Sequence, residues 1–207
     1  MVIEINLNAR GKYGSSKDKA LTPDERVKMI KSLNKDSDRV IFILTAIAGL
    51  RVGELEQVRK EWIEIKHLNN VELMAINIPN ECKNIHNLRM IWRPKTKRER
   101  TTYIFEKDLY LEVKHYFNHN DSIGIKIRAI QERVYKLCAN ILLKKKSIHC
   151  YRATAQNYMK YERGLIPEVI AVMLGHKDIR TTMAHYNTMD KAQAESYLIQ
   201  QFKGGTN

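Results

Sequence analysis

Between positions 71 and 105 the apolar side chains of an otherwise helix-patterned chain change their spacing, and this limits the fold more than any other feature. The segment VELMAINI at 71–78 alternates as a strand does, and the segments 88–92 and 101–105 flank the basic stretch RPKTKRER. A small antiparallel sheet with a charged hairpin is predicted. On either side the spacing is helical: Val27, Met29, Ile30 and Leu33 mark a first helix, the apolar run 40–50 a buried second and 54–62 a third. Helical spacing returns over 109–117, 127–143, 151–161 and 167–174. The fold class expected is therefore α+β, mainly helical.

Thr22, Pro23 and Glu25 combine a capping box with a proline at the first helical position. The folded domain is thus expected to begin near Leu21, after a flexible, polar and basic segment over 1–20, and to run to 188. A C-terminal helix and tail over 189–207 should follow, with Ala194, Tyr197, Leu198 and Phe202 on one face, packed on its own domain or on a neighbour. At 207 residues and 43% apolar content, one core can form without disulfides or structural metal. Cys82, Cys138 and Cys150 form an odd set without C-x-x-C spacing, and mostly buried, reduced thiols are expected.

Thirty-six Lys and Arg against 23 Asp and Glu give a formal charge of +13, which points to a polyanionic partner. Nucleic acid is favoured over a membrane, because the longest apolar run contains Thr45 and is too short to span a bilayer. The N-terminus has no secretory pattern, so a cytoplasmic protein is expected.

Four segments concentrate reactive side chains: AGLRVGEL at 48–55, RPKTKRER at 93–100, IHCYRAT at 148–154 and LGHKDIRTTMAHY at 174–186. In-line attack on a phosphodiester builds negative charge on the non-bridging oxygens, and guanidinium forks suit those oxygens. Arg51 and Arg152 are candidates for such a clamp, although a cation after a buried helix also serves that helix's dipole. Glu54 could orient Arg51 by ion pairing or be a favourable first-turn charge. His149 and Arg152 are three apart on one helical face, and His149 suits proton transfer near neutral pH. His176, after Leu174 and Gly175, could hydrogen-bond a phosphate or simply sit at a helix end. Tyr186 lies ten residues further on, and an isolated tyrosine is more often a packed side chain than a nucleophile.

Taken together and in this order, the four segments resemble the active-site boxes of the tyrosine recombinases, which include phage and archaeal virus integrases and the Xer recombinases. The resemblance spans roughly residues 21–190. It implies the tyrosine recombinase catalytic-domain fold, with Tyr186 rather than Tyr197 as nucleophile and Arg51, His149, Arg152 and His176 around the phosphate. It also implies a lysine delivering a proton to the leaving 5′ oxygen, with Lys95 favoured over Lys97 and Lys107. Arg93, Lys97, Arg98 and Arg100 are expected to contact DNA. A 3′-phosphotyrosine stores the phosphodiester energy, so neither ATP, metal nor another cofactor is implied.

The partner implied is double-stranded DNA, bound by a homo-tetramer whose C-terminal helices exchange between protomers, with a monomer in isolation. The role implied is integration or excision of a mobile element, viral genomes included. The chain departs from the family pattern at Ala153, where a second histidine is common, and at His185. Only about twenty residues precede Thr22, where family members carry a helical clamp domain, and a shortened chain is the favoured explanation. Three other readings remain: a non-catalytic DNA-binding module, a metal-dependent nuclease using His149, His176 and His185, and a type IB topoisomerase. The histidine spacings and sparse carboxylates do not suit one metal site.

Overall fold

A computed structural model describes residues 20–68 and 71–176. The expected nucleophile Tyr186, the segment 189–207 and nearly all of the segment 1–20 lie outside the described residues.

Helix α1 (Pro23–Ser32) starts as its sequence predicts. Thr22 Oγ1 accepts from the Glu25 amide at 3.2 Å, the Glu25 carboxylate accepts from the Thr22 amide at 3.1 Å, and Pro23 occupies the first turn. The buried run 40–50, expected as one helix, is instead composite. Helix α2 (Asp36–Phe42) continues as a π-helical turn over Ile43–Ile47, and Gly49 then ends it with a φ of +75°. Most of this run is buried, and helix α6 (Ile148–Asn157) packs along it, with Phe42 and Tyr151 edge to face at 4.9 Å.

Helix α3 (Val52–Gln57) is shorter than the predicted 54–62 helix, because the chain breaks at Val58 and re-forms as a 3₁₀ turn over Lys60–Trp62. Strand β1 (Ile63–Leu68) follows. It pairs antiparallel with β2 (Val71–Ile78), which pairs on its other edge with β5 (Arg100–Ile104) in the register Met74↔Ile104 to Ile78↔Arg100. Leu73 to Ile76 are all buried, so mid-β2 is covered on both faces rather than one.

The charged hairpin is corrected. Strand β4 (Ile91–Trp92) pairs with β3 (Cys82–Lys83), not with β5, so the basic stretch crosses from one sheet to another. Helices α4 (Lys107–His119) and α5 (Ile127–Leu142) complete the layer around the core, and α6 runs on into a second π-helical turn at Tyr158–Glu162. Helix α7 (Pro167–Leu174) has its predicted bounds, opened by proline and closed by Gly175 in the left-handed conformation. All three cysteines are free, Cys138 and Cys150 buried. Among the described residues, no helix is long and apolar enough to cross a membrane.

Candidate active site

The site is assembled where three chain reversals meet. After Gly49 the chain turns and Arg51 takes the extended N-cap position of α3. Glu54, in the first turn, accepts the Arg51 amide at 2.7 Å and Arg51 Nη1 at 3.0 Å. Arg51 therefore starts a helix rather than capping the end of the buried one. The helix end it does serve is that of α7, where Nη2 donates to the Gly175 carbonyl at 2.9 Å.

Two further arginines converge on the same end. Arg152 donates through Nη1 to Gly49 O and through Nη2 to Leu174 O, and Arg100 donates through Nη1 to Met173 O. The last carbonyls of an α-helix have no partner within it. At the end of α7 the carbonyls of Met173, Leu174 and the capping Gly175 each receive a guanidinium from a different part of the chain. Both glycines are required by this close approach. A Cβ on Gly49 would lie 2.4 Å from Leu174 Cδ2, and one on Gly175 would lie 2.6 Å from Arg100 Cδ.

Glu54 is the carboxylate within this cluster, 1% exposed. Burial alone would raise its pKa, but the charge and hydrogen bonds of Arg100, with Arg152 beyond, hold it below the ordinary value of 4.5. Arg152 moves the other way. Burial first, then the like charges of Arg51 and Arg100, lowers it to about 9, so it stays a cation at neutral pH and is favoured by any anion placed beside it. Three guanidinium groups around one carboxylate leave a surplus of positive charge.

That surplus underlies an open cleft of about 570 Å³, lined by Arg51, Glu54 and Arg152 together with Trp92, Arg93, Lys95, His149 and His176. Of the residues singled out from sequence, the structure therefore brings Arg51, Glu54, Arg93, Lys95, His149, Arg152 and His176 to one place. Lys95 and His149 are exposed side chains, and His176 is half-buried with its amide on Ala171 O at 2.9 Å. Lys97 and Lys107 do not line the cleft.

Arg93 is exposed and paired with Glu81 at 2.9 Å, while Lys97 and Arg98 are exposed. Arg100 differs from its expected place on a DNA-facing surface. Its side chain is 4% exposed and paired with Glu54 at 2.6 Å. The signal was present in strand parity: Arg100 shares a face of β5 with Thr102 and Ile104, both buried. Among the described residues, no group of three or more His, Cys, Asp or Glu is arranged to hold a metal ion.

No protein-family model and no curated protein sequence matches the chain. Solved structures do. A XerA recombinase aligns with a TM-score of 0.61 at 20% identity, over 88% of this chain and 64% of that one. A Tn1549 transposon integrase in complex with transposon right end DNA aligns with a TM-score of 0.61 at 15% identity, over 88% and 65%. The XerH site-specific recombinase bound to its difH substrate, a pre-cleavage complex, gives 0.56 at 16% identity, over 86% and 52%. The chain thus spans between about half and two thirds of the length of these proteins. The likeness lies in the architecture: an α+β, mainly helical chain with the tyrosine recombinase catalytic-domain fold.

Proposed function

We propose that this protein cleaves and rejoins DNA strands through a covalent phosphotyrosine, as a site-specific recombinase acting in integration or excision of a mobile element. The observation that carries the reading is the cluster of Arg51, Arg100 and Arg152 around the buried carboxylate of Glu54, opening into a cleft that also holds Lys95, His149 and His176. A guanidinium has five N–H donors. The side chains of Arg51 and Arg152 each use two for the contacts described, which leaves donors for the non-bridging oxygens of a phosphate.

In the reaction proposed, the Tyr186 oxygen attacks phosphorus as the bond to the 5′ oxygen breaks. His149 takes the phenolic proton, and Lys95 gives one to the leaving 5′ oxygen. Arg51 and Arg152 stabilise the charge that develops on the non-bridging oxygens, and His176 hydrogen-bonds one of them. Attack by a 5′ hydroxyl on the 3′-phosphotyrosine reverses the sequence of bonds and releases Tyr186. Joining two duplexes in this way calls for four protomers on DNA. The exposed cations Lys97 and Arg98 supply sequence-independent phosphate contacts beside the cleft.

The test is incubation of the protein with a pool of nicked suicide duplexes in EDTA, read on a denaturing gel with peptide mapping. An adduct on Tyr186 that is lost in Tyr186→Phe is the expected result. DNA binding without any adduct in the wild-type protein would overturn the cleavage chemistry.

A further inference from the structure

Arg100 is the first residue of β5, and its side chain turns inward beneath the cleft without lining it. Its guanidinium reaches two other elements at once. Nε and Nη2 donate to the two oxygens of Glu54 at 3.4 and 2.6 Å, and Nη1 donates to the Met173 carbonyl at the end of α7. The Glu54 oxygens it holds are the same two that accept the amide and Nη1 of Arg51. Gly175 keeps the way clear, since a side chain there would meet Arg100 Cδ and Nε.

We infer that Arg100 is a positioning residue, which fixes Glu54 against Arg51 and the carbonyl end of α7 against β5, so that Arg51 and His176 face the cleft in one arrangement. The inference rests on the phosphoryl-transfer reading for its kinetic consequence and on the observed contacts for its structural one. A packed apolar side chain would fill the same space but leave the buried Glu54 carboxylate with Arg51 alone, and breaking one side of a buried ion pair costs stability. What an apolar chain cannot do is orient a carboxylate and a helix end simultaneously. A lysine offers one point charge and cannot span both partners as the planar fork does. The residue also lies five positions after Lys95. It therefore anchors the root of the basic stretch at the point where that stretch enters the sheet.

The test uses the full chain with Arg100→Met and Arg100→Lys. In ¹⁵N spectra of the guanidinium groups, Arg51 should show separate Nη–H signals in the wild type, because both of its Nη atoms are bonded, and these should merge in Arg100→Met. Unchanged Arg51 signals would overturn the inference, and this arm requires no cleavage. In single-turnover cleavage at saturating DNA, Arg100→Met should fall about a hundredfold, as misplacement of catalytic groups by an ångström does. DNA affinity should change by less than about threefold, since the lost contact is not made to the ligand.

Arg100→Lys should fall between the two proteins. In a Glu54→Gln background, Arg100→Met should cost far less than it does alone, because the two side chains act as one unit. Wild-type cleavage in folded Arg100→Met, losses that multiply independently of Glu54, or a loss confined to DNA affinity would each overturn it. If Arg100→Met does not fold, Arg100→Lys decides the matter, and a wild-type rate in that variant is the overturning result. Absence of any adduct in the wild type would count against the proposed function, leaving the spectroscopic arm to judge the positioning role.

Discussion

Arg51 Nη2 lies 2.9 Å from the carbonyl oxygen of Gly175, 124 residues further along the chain. The first arginine of the cluster and the turn that delivers His176 are therefore held as one unit. Arg152 on Leu174 O and Arg100 on Met173 O repeat the arrangement one residue at a time back along α7. Each of these contacts places a cation at the negative end of the helix dipole, where it is favoured.

The turn at Gly175 sets a first expectation. A residue with a Cβ in the left-handed conformation costs about 1–2 kcal/mol, and here the added atom would also lie 2.6 Å from Arg100 Cδ. Gly175→Ala should lower the melting temperature by several degrees. Gly53, the second residue of α3, has nothing within 4 Å of an added Cβ. Gly53→Ala should instead stabilise by about 0.5–1 kcal/mol, the usual difference in a helix. Thermal melts of the two variants side by side check this, and equal melting temperatures would contradict it.

Glu54 sets the acid limit. Its folded-state pKa is held below 4.5, its ordinary value, so its contribution to stability is complete above that pH and is lost as pH falls through the lower folded value. Glu54→Gln should cost about 3–5 kcal/mol at neutral pH, because Arg100 is left buried without its partner. Below pH 4.5 the difference between variant and wild type should narrow. Urea unfolding from pH 7 downward reads both effects, and a constant difference across that range would refute the assignment.

Lys95 is the lysine of the basic stretch that lines the cleft. If it protonates the leaving 5′ oxygen, Lys95→Ala should slow cleavage by about 10²–10⁴-fold, the range for general acid catalysis. A substrate whose 5′ oxygen is replaced by sulfur leaves as a thiolate and needs no proton. The variant should cleave that substrate at close to the wild-type rate. Equal defects on the two substrates would assign Lys95 to binding instead.

Salt dependence separates the cations of the same stretch. Lys97→Ala and Arg98→Ala should each reduce the slope of log affinity against log salt by about 0.9, one phosphate contact apiece. Arg100→Met should leave the slope unchanged, because its side chain is buried on Glu54. Arg93 already faces Glu81 and should fall between them. Titrations of a duplex at several salt concentrations measure all four.

Where the sequence was legible, one local rule sufficed. Helix α7 could be bounded from its proline and glycine, and β2 from its alternation. Strand β1 is masked in the sequence although Ile63 and Ile65 alternate with Glu64 and Lys66, because the segment continues without a break from a helix-patterned stretch. Strands β3 and β4 are two residues each, too short for any period to appear.

At the site, residue types and order pointed to the cleft members, but depth did not follow from charge. The run RPKTKRER reads as uniformly solvated, whereas its last residue is buried by the parity of the strand it begins. The carbonyl anchors of the arginines carry no sequence signature, since every residue has a carbonyl. Only the two glycines at 49 and 175 hinted at close backbone approach.

Three of the four guanidinium–carbonyl contacts in this cluster span 124, 103 and 73 residues of sequence. Each closes a long loop, and such contacts are rewarded only after the intervening chain has found its place. The surplus positive charge is therefore concentrated only in the completed fold. In an unfinished chain the same arginines are far apart, dispersed among many other cations, and present no focused field to a phosphate. Competence at this cleft is in that sense a readout of finished folding: the strand cutting proposed for it is withheld from partly folded copies by chain connectivity alone.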